Sequence, residues 1–306
     1  MNGSVNTTTT GGHGGEPRLC LPPLPPRRPQ FVPPAGSCDC HVHVFGDPAR
    51  FPYEGDRSFT PELGLDLAAL GRLHRTLGIA KAVIVQTGIQ SPDVVLEALR
   101  AEPDRLRGVA VLRGDTSDRR LDELNEAGVR GIRINLFRRA GAAVYRGGAG
   151  PDDLAALAPR IKRLGWHIQA WLDADDLPQW APTLLSYGLQ VVVDHMGRIT
   201  TDRGVDSPGF VHLCEMVRRG EVWCKLSCAD RISVAGTPYS DAVPYARALL
   251  EANRDRVVWG TDWPHVNYYD AVPDDAALLD LVPTIATDAA DVDRLFVANP
   301  RQLYGF

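Results

Sequence analysis

Eight short runs rich in β-branched residues, each followed by a stretch with helical apolar spacing, constrain this chain more than any other feature. They cover 38–45 (CDCHVHVF), 79–86 (IAKAVIVQ), 107–112 (RGVAVL) and 129–135 (VRGIRIN) in the first half. In the second half they cover 167–172 (HIQAWL), 190–195 (QVVVDH), 222–227 (VWCKLS) and 256–261 (RVVWGT). Runs of this length and composition read as strands, and apolar residues three and four apart read as one face of a helix. Leu70, Leu73 and Leu77 make one such face; Leu154, Leu157, Ile161 and Leu164 make another. Further helices are expected over 92–101, 117–126, 176–186, 208–219, 240–253 and 289–298. Strands alternating with helices form parallel crossover units, and closing eight of them leaves no unpaired edge. An α/β fold, a single-domain (β/α)8 TIM barrel, is therefore predicted. An open doubly wound sheet is the alternative, and the lack of a Gly-rich phosphate loop after the first run counts against it.

A barrel of this kind takes about 250 residues, and the surplus of the 306 lies at the N-terminus. Residues 1–36 are Thr/Gly-rich and then Pro-rich (LPPLPPRRPQFVPP), without apolar periodicity. They read as a flexible tail, its Pro-rich end extended against the body, with residues 37–306 as the barrel. Lys and Arg total 33 against 38 Asp and Glu, a net charge of −5. That balance argues against nucleic acid as a partner. No apolar stretch approaches the roughly 18 residues that span a bilayer, the first residues lack a secretory h-region, and six Cys are too few for a disulfide scaffold. A cytoplasmic setting without membrane contact is the expectation; nothing in the sequence specifies an oligomeric state.

Barrel chemistry sits at the C-terminal ends of the strands, and here those ends are polar. The first run carries His41 and His43, which strict alternation places on one face, with Cys40 and Val42 on the other. The sixth ends in Asp194 and His195, and the eighth is followed by Asp262, His265 and Asn267. His41, His43, His195 and Asp262 converge in a barrel on one point near its axis. Arg133 and Asn135 share the inward face of the fourth run with Gly131; Arg138, Arg139, Arg198 and Arg231 follow strands at the same end. Buried guanidinium groups are costly unless an anion meets them, so this set points to a small ligand with several negative charges. His74 and His212, in helical stretches, are expected to face solvent, and His167 to lie at the structural end. Cys38 and Cys40 read as buried thiols pointing away from the imidazoles. Lys225 reads as an ion-paired side chain, with a carbamate-bearing metal ligand as the alternative.

The segments CDCHVHVFGDPARFPY, GVRGIRIN, VVVDHMGR, KLSCADRIS and VVWGTDWPHVN resemble, in order and spacing, the amidohydrolase superfamily and its 2-pyrone-4,6-dicarboxylate lactonase branch. The resemblance covers roughly Cys38 to the C-terminus. It implies a hydrolase of aromatic-compound catabolism that opens a small anionic lactone. It makes Asp262 the base that activates water and sets His41, His43 and His195 around the lactone carbonyl. Arg133, Arg139, Arg198 and Arg231 would hold carboxylates, with His265 and Asn267 at the rim. No cofactor is favoured; the alternative is one Zn2+ held by His41, His43, His195 and Asp262. The branch tends to carry Tyr where this chain has Phe59 and Trp171, and a donor-rich loop where it has Gln86-Thr87-Gly88-Ile89. A sulfomuconolactone or a sugar-acid lactone therefore stands beside the pyrone dicarboxylate as a substrate. A metal-dependent decarboxylase and a noncatalytic carboxylate-binding barrel are the competing readings.

Overall fold

The computed structural model describes residues 17–139, 142–143 and 148–306. All eight expected strands form. β1 (Cys38–Val42), β2 (Lys81–Val85), β3 (Leu106–Ala110) and β4 (Val129–Asn135) pair in parallel in chain order. β5 (Arg138–Arg139) and β6 (Ala142–Ala143) form a small antiparallel hairpin in the loop after β4, too short for periodicity to reveal. The parallel sheet continues through β7 (His167–Trp171), β8 (Val191–Val193), β9 (Val222–Leu226) and β10 (Val257–Trp259). Around it lie α1 (Leu67–Leu77), α2 (Asp93–Ala101), α3 (Asp118–Ala127), α4 (Pro151–Lys162), α5 (Leu177–Ser186), α6 (Pro208–Arg218), α7 (Ala229–Ile232), α8 (Val243–Ala252) and α9 (Asp275–Asp280). The leucine stripes of α1 and α4 are buried as expected; Leu70, Leu73, Leu77, Leu154, Leu157 and Ile161 are all in the core. No helix among the described residues is long and apolar enough to cross a membrane.

The barrel closes through the residues that follow β10. Asp262 N donates to the His41 carbonyl at 2.9 Å, and His43 N donates to the Trp263 carbonyl at 2.8 Å. Beneath this seam the Asp39 carboxylate accepts from Thr261 N at 3.0 Å and Thr261 Oγ1 at 2.6 Å. Gly260 is required there, because a Cβ would lie 2.8 Å from both the His41 Cβ and its backbone nitrogen.

Strand β1 departs from strict alternation. Asp39 pairs with Ala82 and Val42 with Ile84, so Cys40 and His41 together oppose the single residue Val83. This β-bulge turns two consecutive side chains inward. Cys38 and Cys40 consequently pack with Val83, Val85, Val192, Trp223 and Tyr304 inside the barrel, below the imidazoles. The two thiols are buried, as read from the sequence, but on the side of the sheet opposite to the one alternation gives. Tyr304, fully buried in the C-terminal helix, stands 5.5 Å from the His167 ring at the structural end of the barrel.

One other expectation needs correction. His74 does not face solvent: it is buried, with Nε2 3.4 Å from Asp39 Oδ2, and it helps to hold the seam. Residues 1–16 lie outside the described residues, but 17–36 run as a strap along the barrel. Cys20 N donates to Thr60 O at 2.8 Å and Leu21 N to Tyr268 O at 2.9 Å. Further along, Gln30 N and Phe31 N donate to Asp280 Oδ1 at 2.7 and 2.9 Å. A Pro-rich segment has few backbone donors to satisfy, so docking needs few partners and leaves no trace in apolar periodicity.

Candidate active site

Even-numbered positions of β4 and β7 pack outward on the helices, where Ile132, Ile134, Ile168 and Ala170 join the main core. The odd positions fill the barrel. Gly131 makes room for the His167 ring, 2.6 Å from where a Cβ would sit. Arg133 and Gln169 stand one layer higher, their Nε and Nε2 donating to Asp194 Oδ2 at 3.0 and 3.1 Å. Lys225, inward on β9 and wholly buried, donates to Gln169 Oε1 at 2.7 Å and to the Cys40 carbonyl at 2.9 Å. Its Nζ also lies 3.3 Å from His41 Nδ1. These bonds offset a burial cost that nevertheless lowers the Lys225 pKa to about 8, against the opposing pull of Asp194. Burial raises the Asp194 carboxyl, but His41, Arg133 and Lys225 outweigh it and hold the group well below its ordinary value. Breaking the buried Arg133–Asp194 pair would cost about 3–5 kcal/mol.

The reactive groups stand above this polar layer. Asp262 Oδ1 faces His43 Nε2 at 3.2 Å, His41 Nε2 at 3.6 Å and His195 Nε2 at 3.9 Å. Asp262 Oδ2 is met by the Cys228 thiol at 3.2 Å and by Arg231 Nε at 3.4 Å. Burial raises the Asp262 carboxyl; His195, the His43 contact and Arg231 more than reverse this and hold it well below the usual carboxylate range. Burial and then Lys225 push His41 down to about 3, so its ring is neutral at pH 7. His195 is likewise pushed down, first by burial and then by His41, and its Nδ1 is tied to Ser227 Oγ at 2.8 Å. His43 Nδ1 lies 2.6 Å from the Val85 carbonyl, which can only accept, so this nitrogen carries a proton. Burial and the neighbouring carboxylates push the Cys228 thiol up, well above 9.0, which keeps it protonated.

Above these groups the barrel mouth opens into a pocket of about 660 Å³, counting its opening to solvent. Arg133, Arg198 and Arg231 reach its wall with Asn267, as the sequence suggested. Arg198 is set apart from the other two. Its guanidinium lies 4.6 Å over the Phe137 ring and 5.4 Å over the Trp171 ring, and its buried Nε has no hydrogen-bond partner among the described residues. Arg231 is engaged with Asp262 and the Val266 carbonyl, and lies 4.5 Å over the Tyr268 ring. Phe59, Thr87, Ile89 and Trp171 complete the lining, with Trp171 beneath both Arg133 and Arg198. Gln86 is turned to structural use: its amide donates to the Gln90 carbonyl and accepts from Val111 N, both at 2.8 Å.

His265 does not reach the rim. It is fully buried, with Nε2 2.9 Å from Asp275 Oδ1 in α9. Burial alone would lower its pKa, but Asp275 outweighs that and raises it. The pair holds the β10 loop to α9, and no sequence pattern announces a partner ten residues away on the next helix. Arg139 lies on β5, and its side chain falls outside the described residues. His195, Arg198, Cys228, Asp262, His265 and Asn267 all have φ between 54° and 68°. Left-handed backbone costs a non-glycine residue about 1–2 kcal/mol, and such residues persist where the surroundings over-determine them.

His41, His195 and Asp262 each offer a ligand atom within 4.8 Å of the others, and His41 Nε2 is buried without a hydrogen-bond partner among the described residues. This donor set fits one divalent ion. His43, expected in the same set, falls outside it.

An Asp and three His at the mouth of a closed parallel barrel fit hydrolytic chemistry, and similarity to known proteins agrees. Residues 38–306 match the amidohydrolase family model, and the chain belongs to that family. It is 40% identical over 290 residues to a 2-pyrone-4,6-dicarboxylate hydrolase of Comamonas testosteroni, covering 91% of this chain and 93% of that one. It is 34% identical over 295 residues to a 4-sulfomuconolactone hydrolase of Hydrogenophaga intermedia, covering 94% of each. Among solved structures, a Pseudomonas putida protein described as a candidate 2-pyrone-4,6-dicarboxylic acid hydrolase superposes with a TM-score of 0.72 at 29% identity, covering 88% of this chain and 97% of that one.

Proposed function

We propose that this protein hydrolyses the ring ester of a small anionic lactone of the 2-pyrone-4,6-dicarboxylate type. The observation that carries the reading is one carboxylate oxygen, Asp262 Oδ1, turned toward three imidazoles at the floor of a pocket whose wall holds Arg198, its buried Nε without a hydrogen-bond partner among the described residues. In this reading Asp262 takes a proton from water as the water oxygen attacks the lactone carbonyl carbon. Imidazole N–H groups at His41 and His195 receive the charge that develops on the carbonyl oxygen. The ring C–O bond then breaks, and the departing oxygen takes the proton back from Asp262. His43, pinned to the Val85 carbonyl through Nδ1, stands with Nε2 beside the carboxylate oxygen and walls it on that side. Arg198 takes one substrate carboxylate, with Arg231 and Asn267 beside it, while Arg133 stays with Asp194.

A divalent ion on His41, His195 and Asp262 would supply Lewis-acid polarisation of the carbonyl and a more acidic water. Two cations already touch those ligands, Lys225 at His41 and Arg231 at Asp262, and they oppose a further positive charge. Turnover without a resident metal is therefore the reading adopted. Its test is hydrolysis of 2-pyrone-4,6-dicarboxylate before and after dialysis against a chelator, with metal content measured. Full activity in metal-free protein is expected; loss restored by Zn2+ would move the chemistry to the ion. A sulfonate would suit the same guanidinium, so 4-sulfomuconolactone belongs in the same assay. We assign this activity to residues 37–306, as a cytoplasmic step in aromatic-compound catabolism.

A further inference from the structure

We infer that Cys228 is a positioning residue for the proposed base: its neutral thiol donates to Asp262 Oδ2 and so turns Oδ1 toward the attacking water. The inference rests on the reading of Asp262 as base, and it uses a residue to which that reading gives no role.

Three observations carry it. The thiol lies 3.2 Å from Oδ2, within range of a sulfur hydrogen bond, and Cys228 is buried with 1% of its surface exposed. The other contact of Oδ2, Arg231 Nε, is longer at 3.4 Å and comes from a side chain that a substrate carboxylate would draw toward the pocket. Secondly, the backbone at Cys228 is left-handed, with φ 60° and ψ 40°. Glycine is the residue that tolerates this conformation without cost, so a side chain kept there has a use that offsets the strain. Thirdly, the Cys228 carbonyl accepts from Arg231 N at 3.0 Å and Ile232 N at 3.3 Å. The turn that presents Arg231 to the pocket thus begins at the residue whose side chain fixes the carboxylate, and the anion-binding arm and the base share one anchor.

A thiol serves better than a hydroxyl of the same shape in one respect. It is a weak acceptor, so it has little tendency to turn its lone pairs toward a competing donor. A serine retains the donor and should preserve most of the effect; an alanine removes it.

The test compares Cys228→Gly, Cys228→Ser and Cys228→Ala in the full-length protein, with Asp262→Asn alongside, using hydrolysis of 2-pyrone-4,6-dicarboxylate. Loss of a bond that orients a reacting group typically costs about 10- to 100-fold in activity. A fall of about 10-fold or more in kcat is expected for Gly and Ala, with KM within about threefold. Ser should recover to within about threefold of the unmutated enzyme. Because glycine relieves the left-handed backbone, the thermal midpoint of Cys228→Gly should not fall, which separates positioning from a merely structural role. If Cys228→Gly fails to fold, the Ser and Ala pair decides the matter. Equal kcat for Ser and Ala, or an unchanged kcat in Gly or Ala, overturns the inference. Activity retained in Asp262→Asn refutes the base itself; an inactive Asp262→Asn beside a fully active Cys228→Ala refutes only the role of the thiol.

Discussion

Replacing Arg198 by Met should separate anion recognition from scaffold. Arg198 lies 4.6 Å over Phe137 and 5.4 Å over Trp171, and its buried Nε has no hydrogen-bond partner among the described residues. Methionine keeps much of the apolar contact with both rings and removes only the charged fork. A hydrogen bond between a charged group and its partner is worth about 1.5–3 kcal/mol. At about 1.36 kcal/mol per decade this becomes roughly 10- to 150-fold in kcat/KM for 2-pyrone-4,6-dicarboxylate. The dimethyl ester cannot form the ionic bond, and its rate should change by less than about threefold. Arg133→Met is the control, since Arg133 already serves Asp194 at 3.0 Å and its loss strands a buried carboxylate. That variant should lose stability and activity on acid and ester alike. Steady-state kinetics of both substrates on the three proteins make the comparison. Equal losses on acid and ester in Arg198→Met would make Arg198 part of the scaffold, and no loss on either would place the substrate anion elsewhere.

The remaining expectations follow from the same geometry. Asp262→Asn should lower kcat at least about 100-fold with an unchanged circular dichroism spectrum, because the amide cannot take a proton from water; activity within tenfold of the unmutated enzyme would remove Asp262 as the base. A base held below 3.8 is ionised throughout the neutral range and loses activity only as pH falls through its depressed pKa, so kcat/KM should be flat from pH 8 to 5; an acid limb near pH 6.5 would move the base to an imidazole. Deleting residues 1–31 removes the bonds from Cys20, Leu21, Gln30 and Phe31, along with the Asn267 N to Cys20 Sγ contact at 3.2 Å. The thermal midpoint should fall by several degrees and KM should rise, whereas unchanged values would make the strap inert.

The strands were legible because β-branched residues cluster in all eight, and the fold followed from their alternation with helices. Asp262, His41, His43 and His195 were legible because each ends or follows such a run. What escaped depends on phase and on distance along the chain. The bulge in β1 leaves the pattern CDCHVHVF intact while reversing the side on which Cys40 lies, since alternation assumes one partner residue for each residue. Of the buried layer of Lys225, Gln169, Asp194 and Arg133, the arginine, the aspartate and an ion-paired lysine are legible in the strands; Gln169 looks like an ordinary polar residue until its partners meet. The family resemblance puts His265 at the rim, yet a left-handed turn sends it toward Asp275. His74 lies on the apolar face of α1, four residues after Leu70 and three before Leu77, and the partners that let an imidazole be buried there, Asp39 and Arg105, are distant in sequence.

The seam between β1 and the residues after β10 makes assembly of the site and closure of the barrel one event. The main-chain groups that join the first and last units belong to His41, His43, Asp262 and Trp263, residues from the opposite ends of a chain segment more than 200 positions long. Half a barrel therefore holds half a catalytic set, and a folding intermediate that has not yet brought its ends together has no competent site to misuse. The same arrangement makes this a poor place to relocate the chain termini: a permuted molecule opened between β10 and Asp262 would have to re-form the close approach of Gly260 to His41 without covalent help.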